Sequence, residues 1–296
     1  MNQTINVTIP ENAGPTVLAG RYRPETVRRT KAGPKPGDTQ TISLPGGVPM
    51  TLCWCPATTS EDWKRLSGGK DFFMMGSPDG ELGRSDNEKR HPVKLMRGFW
   101  IAQTPVTQRQ YEAVTGTNPT TGDKGPDNPV SNVTWTDCGT FCLQLAAKLG
   151  DGSQFALPTE AQWEYACRAG TTTALNNGTD LTTNDGVCPN LDEVAWYEKN
   201  SGECKKPVKR KRENAWHLYD MHGNVWEWCF DYYGAYRKRL QVDPTGAASG
   251  SYRVLRGGSY HHDARLCRSA FRNIYSEGCS RSLLGFRPVR ILPNQP

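Results

Sequence analysis

The stretch that most restricts the fold runs from Arg253 to Arg290, RVLRGGSYHHDARLCRSAFRNIYSEGCSRSLLGFRPVR. Its positions fall into two classes. One is a frame of small, basic and rigid residues: Gly257, Gly258, Arg265, Arg268, Ala270, Arg272, Gly285, Arg287 and Pro288. The other has no chemical theme: His261, His262, Asp263, Leu266, Phe271, Ile274, Tyr275, Ser276, Cys279, Ser280, Ser282 and Leu283. A binding surface separates scaffold from contact residues in this way. An active site does not, because each reacting group must hold a fixed place and pKa. The pattern predicts that the frame faces inward and the second class lines one open face.

The rest of the chain must supply the core on which such a face rests. Only 36% of the 296 residues are hydrophobic, yet nine are Trp and 30 are Gly, which predicts a loop-rich α+β fold leaning on aromatics. A formal charge of +6 is mild for this length and does not by itself imply nucleic acid. The ten Cys form no CxxC pair or zinc spacing, so they are expected to be reduced and mostly buried. MNQTINVTIPENAG lacks the basic and apolar regions of a signal peptide, and no apolar run reaches membrane-spanning length. A cytoplasmic or virion-associated location is the expectation.

Residues 1–38 read as an N-terminal arm or linker, with a plausible strand at INVTIP and a basic, Pro- and Gly-rich stretch after it. The compact domain is expected from 39 to 296, its variable region spanning 257–290. TISLPGGVPMTLCWCP predicts a hairpin about Pro45-Gly46-Gly47, and residues 79–91 an exposed charged loop before a strand over 93–101. Three helices carry start signals: Thr107 with Gln110, Thr134 or Thr136, and Thr159 with Gln162. Residues 169–215 are long and irregular, and the Lys205–Arg212 run, without interleaved aromatics, reads as a solvated loop.

Several groups could carry chemistry. Asp220, Gly223, Val225 and Glu227 could offer Ca²⁺ two carboxylates and two carbonyls around a glycine bend; alternatively the carboxylates cap turns and pair with Arg. His261 and His262, if on a strand, would point to opposite faces and could not chelate one ion. Neither Cys267 nor Cys279 has a cue for a reactive thiolate beyond flanking Arg. No serine nucleophile elbow, HExxH, phosphate loop or dinucleotide fingerprint occurs.

The motifs LPTEAQWEYACRAGT (157–171), LYDMHGNVWEWC (218–229), RVLRGGS (253–259) and GFRPVR (285–290) resemble the formylglycine-generating-enzyme/sulfatase-modifying-factor family. MGSP (75–78) and PVTQRQY (105–111) agree. The resemblance implies a variant C-type lectin fold with a twisted antiparallel sheet and few helices. It also implies the calcium set named above. Enzymes of that family bind copper through two closely spaced Cys after the GGS motif and use O₂ to oxidise a substrate Cys. Ser259 and Trp226 match that site, but HHDARLC follows Tyr260 and the copper cysteines are absent. No copper is expected, because Cu(I) needs those thiolates; a copper- and O₂-dependent oxidase is the competing reading.

The terminal segment also resembles the variable region of proteins diversified by retroelements that mutate template adenines. Asn codons of the AAY kind can then become His, Asp, Leu, Phe, Ile, Tyr, Ser or Cys, but never Lys, Gln, Met, Glu or Trp. Every residue of the second class belongs to the accessible set, Asn273 could be an unaltered copy, and Glu277 falls outside it. The resemblance therefore implies a non-catalytic protein that binds protein or other macromolecular ligands through the variable face. A structural module of a phage or host assembly, anchored through residues 1–38, is a further alternative.

Overall fold

The computed structural model describes residues 33–291. The arm assigned to residues 1–38 lies mostly outside them, but its last residues belong to the compact unit, which begins at Pro34. Gly37 N–H donates to Trp54 O at 3.0 Å, and a Cβ on Gly37 would lie 3.2 Å from Trp216.

Strands β1 (Thr39–Ser43) and β2 (Pro49–Cys55) form the expected antiparallel hairpin, Thr39 opposite Cys53. Its turn needs Gly46 and Gly47, both left-handed at φ 73° and 75°. An unanticipated helix α1 (Glu61–Leu66) follows, with Ser60 accepting from Trp63 N–H. β3 (Phe73–Met75) pairs antiparallel with β4 (His91–Lys94). The single strand expected over 93–101 is two, because β5 (Phe99–Ala102) joins β2 in a different sheet. The chain turns at Gly98, where a Cβ would sit 2.3 Å from the Trp54 ring.

The three helices start where their caps predict. In α2 (Gln108–Thr115) Thr107 and Gln110 form a reciprocal capping box. In α3 (Trp135–Leu149) the cap is Thr134, because Asp137 reaches back to its N–H. After β6 (Gln154–Ala156), α4 (Glu160–Arg168) is boxed by Thr159 and Gln162, and buries Trp163, Ala166 and Cys167 as expected.

The irregular 169–215 segment is packed rather than loose. Around the short helix α5 (Pro189–Asp192), Leu175, Leu181, Cys188, Leu191 and Tyr197 build a small apolar cluster that closes on Ala264 and Cys267. β7 (Ala195–Trp196) then pairs with β8 (His222–Gly223). Next come β9 (Trp226–Tyr232), β10 (Gln241–Val242), β11 (Arg253–Arg256), β12 (Asn273–Tyr275), β13 (Leu284–Gly285) and β14 (Val289–Ile291).

The larger sheet runs β1-β2-β5-β14-β6 and a second runs β12-β11-β9-β13. Pairing is mostly antiparallel, with β13 parallel to β9. The result is an α+β fold of short strands and few helices, as the family resemblance implied. One core cluster carries Trp226, Trp228, Phe141 and Phe286, the last two edge to face at 5.2 Å. The other carries Trp63, Trp163, Tyr165 and Trp216. All ten cysteines are unpaired, and only Cys204 and Cys279 escape full burial. Among the described residues, no helix is long and apolar enough to cross a membrane.

Candidate ligand-binding face

The terminal segment divides by burial almost as it divides by composition. Gly257, Gly258, Arg268, Ala270, Arg272, Gly285, Arg287 and Pro288 are buried. None of the twelve residues of the second class is: His261, Ser276 and Ser280 are exposed, and His262, Asp263, Leu266, Phe271, Ile274, Tyr275, Cys279, Ser282 and Leu283 are half-buried. Arg265 is the correction. Its side chain is 54% exposed and reaches sideways to Asp263 at 3.2 Å, so it belongs to the face and not to the frame. Leu266, Phe271, Tyr275, Cys279 and Leu283 rest together on the core cluster of Trp226 and Trp228.

Backbone geometry explains the frame glycines. Gly257 and Gly258 are left-handed at φ 96° and 80°, and a Cβ on Gly258 would stand 2.5 Å from Cys267 Sγ. That contact fixes the start of the loop against its own 3-10 turn at Ala264–Cys267.

The frame arginines are each clasped by acids from distant parts of the chain. Arg268 donates to Glu88 at 2.7 and 2.8 Å, to Glu81 at 2.6 Å, and to the carbonyls of Gly83 and Arg265. The 79–91 segment, expected to be exposed, therefore buries both acids: their side chains are 2% and 0% exposed. Arg272 forms a two-point pair with Glu160 at 2.6 and 2.8 Å. Arg256, which the sequence did not single out, pairs with Glu164 and donates to the carbonyls of Ser269, Ala270 and Phe271. Burial alone would raise the Glu160 carboxyl, but Arg272 and Arg256 together outweigh it and hold it below the usual range. Arg253 is sandwiched between the Trp135 and Tyr232 rings at 3.7 and 3.4 Å. The signal available in the sequence was stoichiometric. Buried arginines demand carboxylates, and Glu160 and Glu164 sit one helical turn apart.

Of the oxygens predicted for Ca²⁺, those of the Glu227 carboxylate are taken by a cation of the chain itself, Arg287. It holds both Glu227 oxygens at 2.7 Å and donates to the carbonyls of Asp220, Tyr219, Ala102 and Gln103. Trp163 Nε1–H also donates to Glu227 at 2.8 Å. The Asp220 carboxylate accepts from Lys209 N–H and from Asn224. Gly223 and Val225 lie buried on the same loop. Of the four residues, Glu227 meets the guanidinium through its carboxylate and Asp220 through its carbonyl, and Glu227 does not fit as an ion ligand while Arg287 covers both its oxygens.

The basic run also differs from its expectation. Lys205 is fully buried, donating to Ser282 O at 3.2 Å and pairing with Asp123 at 3.3 Å. Lys206 and Lys211 lie 5.8 and 4.1 Å from the Trp196 ring centroid, and Lys209 lies 5.6 Å from that of Tyr219. These aromatics flank the run instead of interleaving with it, while Lys209, Arg210 and Arg212 remain exposed as expected.

At the centre of the face, buried Trp226 lies under His262 and Phe271, ring centroids 5.3 and 5.9 Å away. His261 and His262 occupy a turn rather than a strand, their centroids 6.4 Å apart. Burial, and to a lesser degree His261, lower the pKa of His262. Cys267 is buried against the frame, and burial raises its thiol far above the reactive range.

Comparison with known proteins agrees with this architecture. The sequence model of the sulfatase-modifying factor enzyme 1-like domain matches residues 56–292. A formylglycine-generating enzyme of Streptomyces coelicolor is 35% identical over 172 residues, 55% of this chain and 52% of that protein. The Bos taurus enzyme is 33% identical over 171 residues, 55% of this chain and 44% of that protein. The chain thus spans about half the length of these curated relatives. Among solved structures, Treponema denticola variable protein 1 superposes with a TM-score of 0.69 at 29% identity, covering 85% of this chain and 98% of that one. By sequence pattern and fold together, the chain belongs to the sulfatase-modifying factor enzyme 1-like family.

Proposed function

We propose that this protein binds varied macromolecular ligands through the face built from residues 261–283, and that a retroelement diversifies that face. One observation carries the reading: the frame residues Gly257, Gly258, Arg268, Ala270, Arg272, Gly285, Arg287 and Pro288 are all buried, whereas each of the twelve residues of the second class stays at least partly open. Half-exposed Tyr, Phe, Leu and His over a rigid floor are suited to adaptable contacts. The likeness to Treponema denticola variable protein 1 supports it.

The test is a displayed library in which the twelve positions are varied together on the otherwise unchanged chain, panned against unrelated protein targets. Folded binders to several targets support the proposal. A library that is largely unfolded, or folded and without binders, sinks it. The flanking DNA supplies an independent check on diversification: a reverse transcriptase and a near-copy of codons 257–290 differing only at adenines.

A further inference from the structure

His262 has a tautomer that its surroundings dictate. Two groups meet its Nδ1: Ser259 Oγ at 2.6 Å and Trp226 Nε1 at 3.3 Å. A hydroxyl could give or take a proton, but an indole N–H can only donate. Nδ1 must therefore accept. Ser259 Oγ, in turn, accepts from His261 N–H at 3.4 Å, which leaves its own proton free for Nδ1. In the neutral ring the proton then resides on Nε2.

The ring is fixed as well as assigned. Its backbone N–H donates to Ser259 O at 3.1 Å, and its carbonyl accepts from Glu198 N–H at 3.0 Å. The ring meets the Trp226 indole edge-on, at an interplanar angle of 75°. Both Trp226 and Ser259 are fully buried. Among the described residues Nε2 has no hydrogen-bond partner, and it is not one of the buried atoms left unsatisfied. It opens on the face.

We infer that His262 meets a ligand as an obligate hydrogen-bond donor through Nε2–H, so that the ligand group set against it is an acceptor oxygen, a carbonyl or a carboxylate. The inference rests on the ligand-binding reading of the face, but the tautomer does not. An ordinary surface histidine can offer either a donor or an acceptor by exchanging tautomers. Here exchange would turn Nδ1–H against the indole N–H. His262 also contributes no imidazole lone pair, which removes it from metal binding at Nε2 in this state.

Long-range proton–nitrogen correlation spectra of the full, ¹⁵N-labelled chain at neutral pH test the first step. Nδ1 of His262 is expected at the unprotonated position and Nε2 at the protonated one, and Ser259→Ala should keep that pattern because the indole suffices. A protonated Nδ1 in the parent chain overturns the inference and leaves the face reading standing. Titration with acetate, N-methylacetamide and methylammonium tests the second step, with H262F as the control for other sites. The two oxygen acceptors should shift the Nε2 resonance and methylammonium should not. A response to methylammonium instead, or to none of the three, overturns the acceptor assignment even if the tautomer is correct.

Discussion

Arg268→Met separates frame from face most sharply. The substitution keeps an unbranched chain of similar reach but removes a guanidinium that makes five hydrogen bonds to Glu81, Glu88, Gly83 and Arg265. Glu88, 0% exposed, would be left as an unpaired buried charge. Breaking a buried pair from one side costs about 3–5 kcal/mol. For a unit of this size each kcal/mol lowers Tm by roughly 2–4 °C, so a fall of about 6–20 °C is expected. Neutralising the acids as well, in E81Q/E88Q/R268M, should recover most of the loss, because the penalty lies in the stranded charges and both glutamines keep their acceptor oxygens. By contrast His261→Ala, Ser276→Ala and Ser280→Ala, at exposed positions, should stay within ~0.5 kcal/mol of the parent. Thermal unfolding followed by circular dichroism at pH 7 reads all five variants. If R268M melts with the parent, or the three face variants fall as far as it does, the division of labour is refuted.

Three further expectations follow from the site. With Arg287 already on both Glu227 oxygens, Ca²⁺ and EDTA should give the same Tm; an ion present at ~100 times its Kd would add about 2.7 kcal/mol, and a rise of that size lost in Asp220→Ala would place calcium on this loop after all. Copper loading followed by O₂ uptake on cysteine peptides should show no turnover, since Cys267 is buried against Gly258; stoichiometric copper with turnover would restore the oxidase reading. Buried His222 donates to Cys267 O and accepts from Asn176 N–H, and burial pulls its pKa down from 6.5 to about 4. The unfolded chain therefore takes up the proton first, so stability falls as pH drops from 6.5 through about 4, and His222→Gln should flatten that part of the pH profile of urea midpoints.

The hairpin turn, two of the three capping boxes and the inward and outward halves of the terminal segment were legible because each is encoded locally. Gly46-Gly47, Thr107 with Gln110, and Gly257-Gly258 state their backbone needs within a few residues. What was not legible depends on partners far along the chain. Glu81 and Glu88 look like loop charges until Arg268, some 180 residues later, is placed between them. Lys205 looks solvated until the fold brings it to Asp123 and Ser282, about 80 residues away on either side. For Glu227 the sequence left an ion and an arginine both open, and its arginine, Arg287, comes 60 residues later. The single strand expected over 93–101 failed for the same reason, because the obstacle at Gly98 is the Trp54 ring from another strand.

If the face is diversified as proposed, an ionic frame also answers a problem that variable residues would create. Leu, Phe and Ile would be among the accessible substitutions, and a frame held only by apolar packing could exchange places with them, since cores tolerate hydrophobic residues of about the right volume. Arg256, Arg268, Arg272 and Arg287 cannot be displaced in that way. Each is held by hydrogen bonds in fixed directions, to acids on α4, β9 and the 81–88 segment. A Leu entering any of those places would strand a carboxylate at the cost worked out above, several times what its own burial returns when the position it leaves is already half-buried. The frame is therefore costly to misfold rather than especially stable, and this lets the residues above it change without moving the floor. E81Q/E88Q/R268M should therefore refold to near-parent Tm with the parent face, yet lose that tolerance. Libraries built on it should contain a larger unfolded fraction, concentrated in members with Leu, Phe or Ile at 266, 271 and 283. Equal unfolded fractions on the two backgrounds would show that packing alone protects the frame.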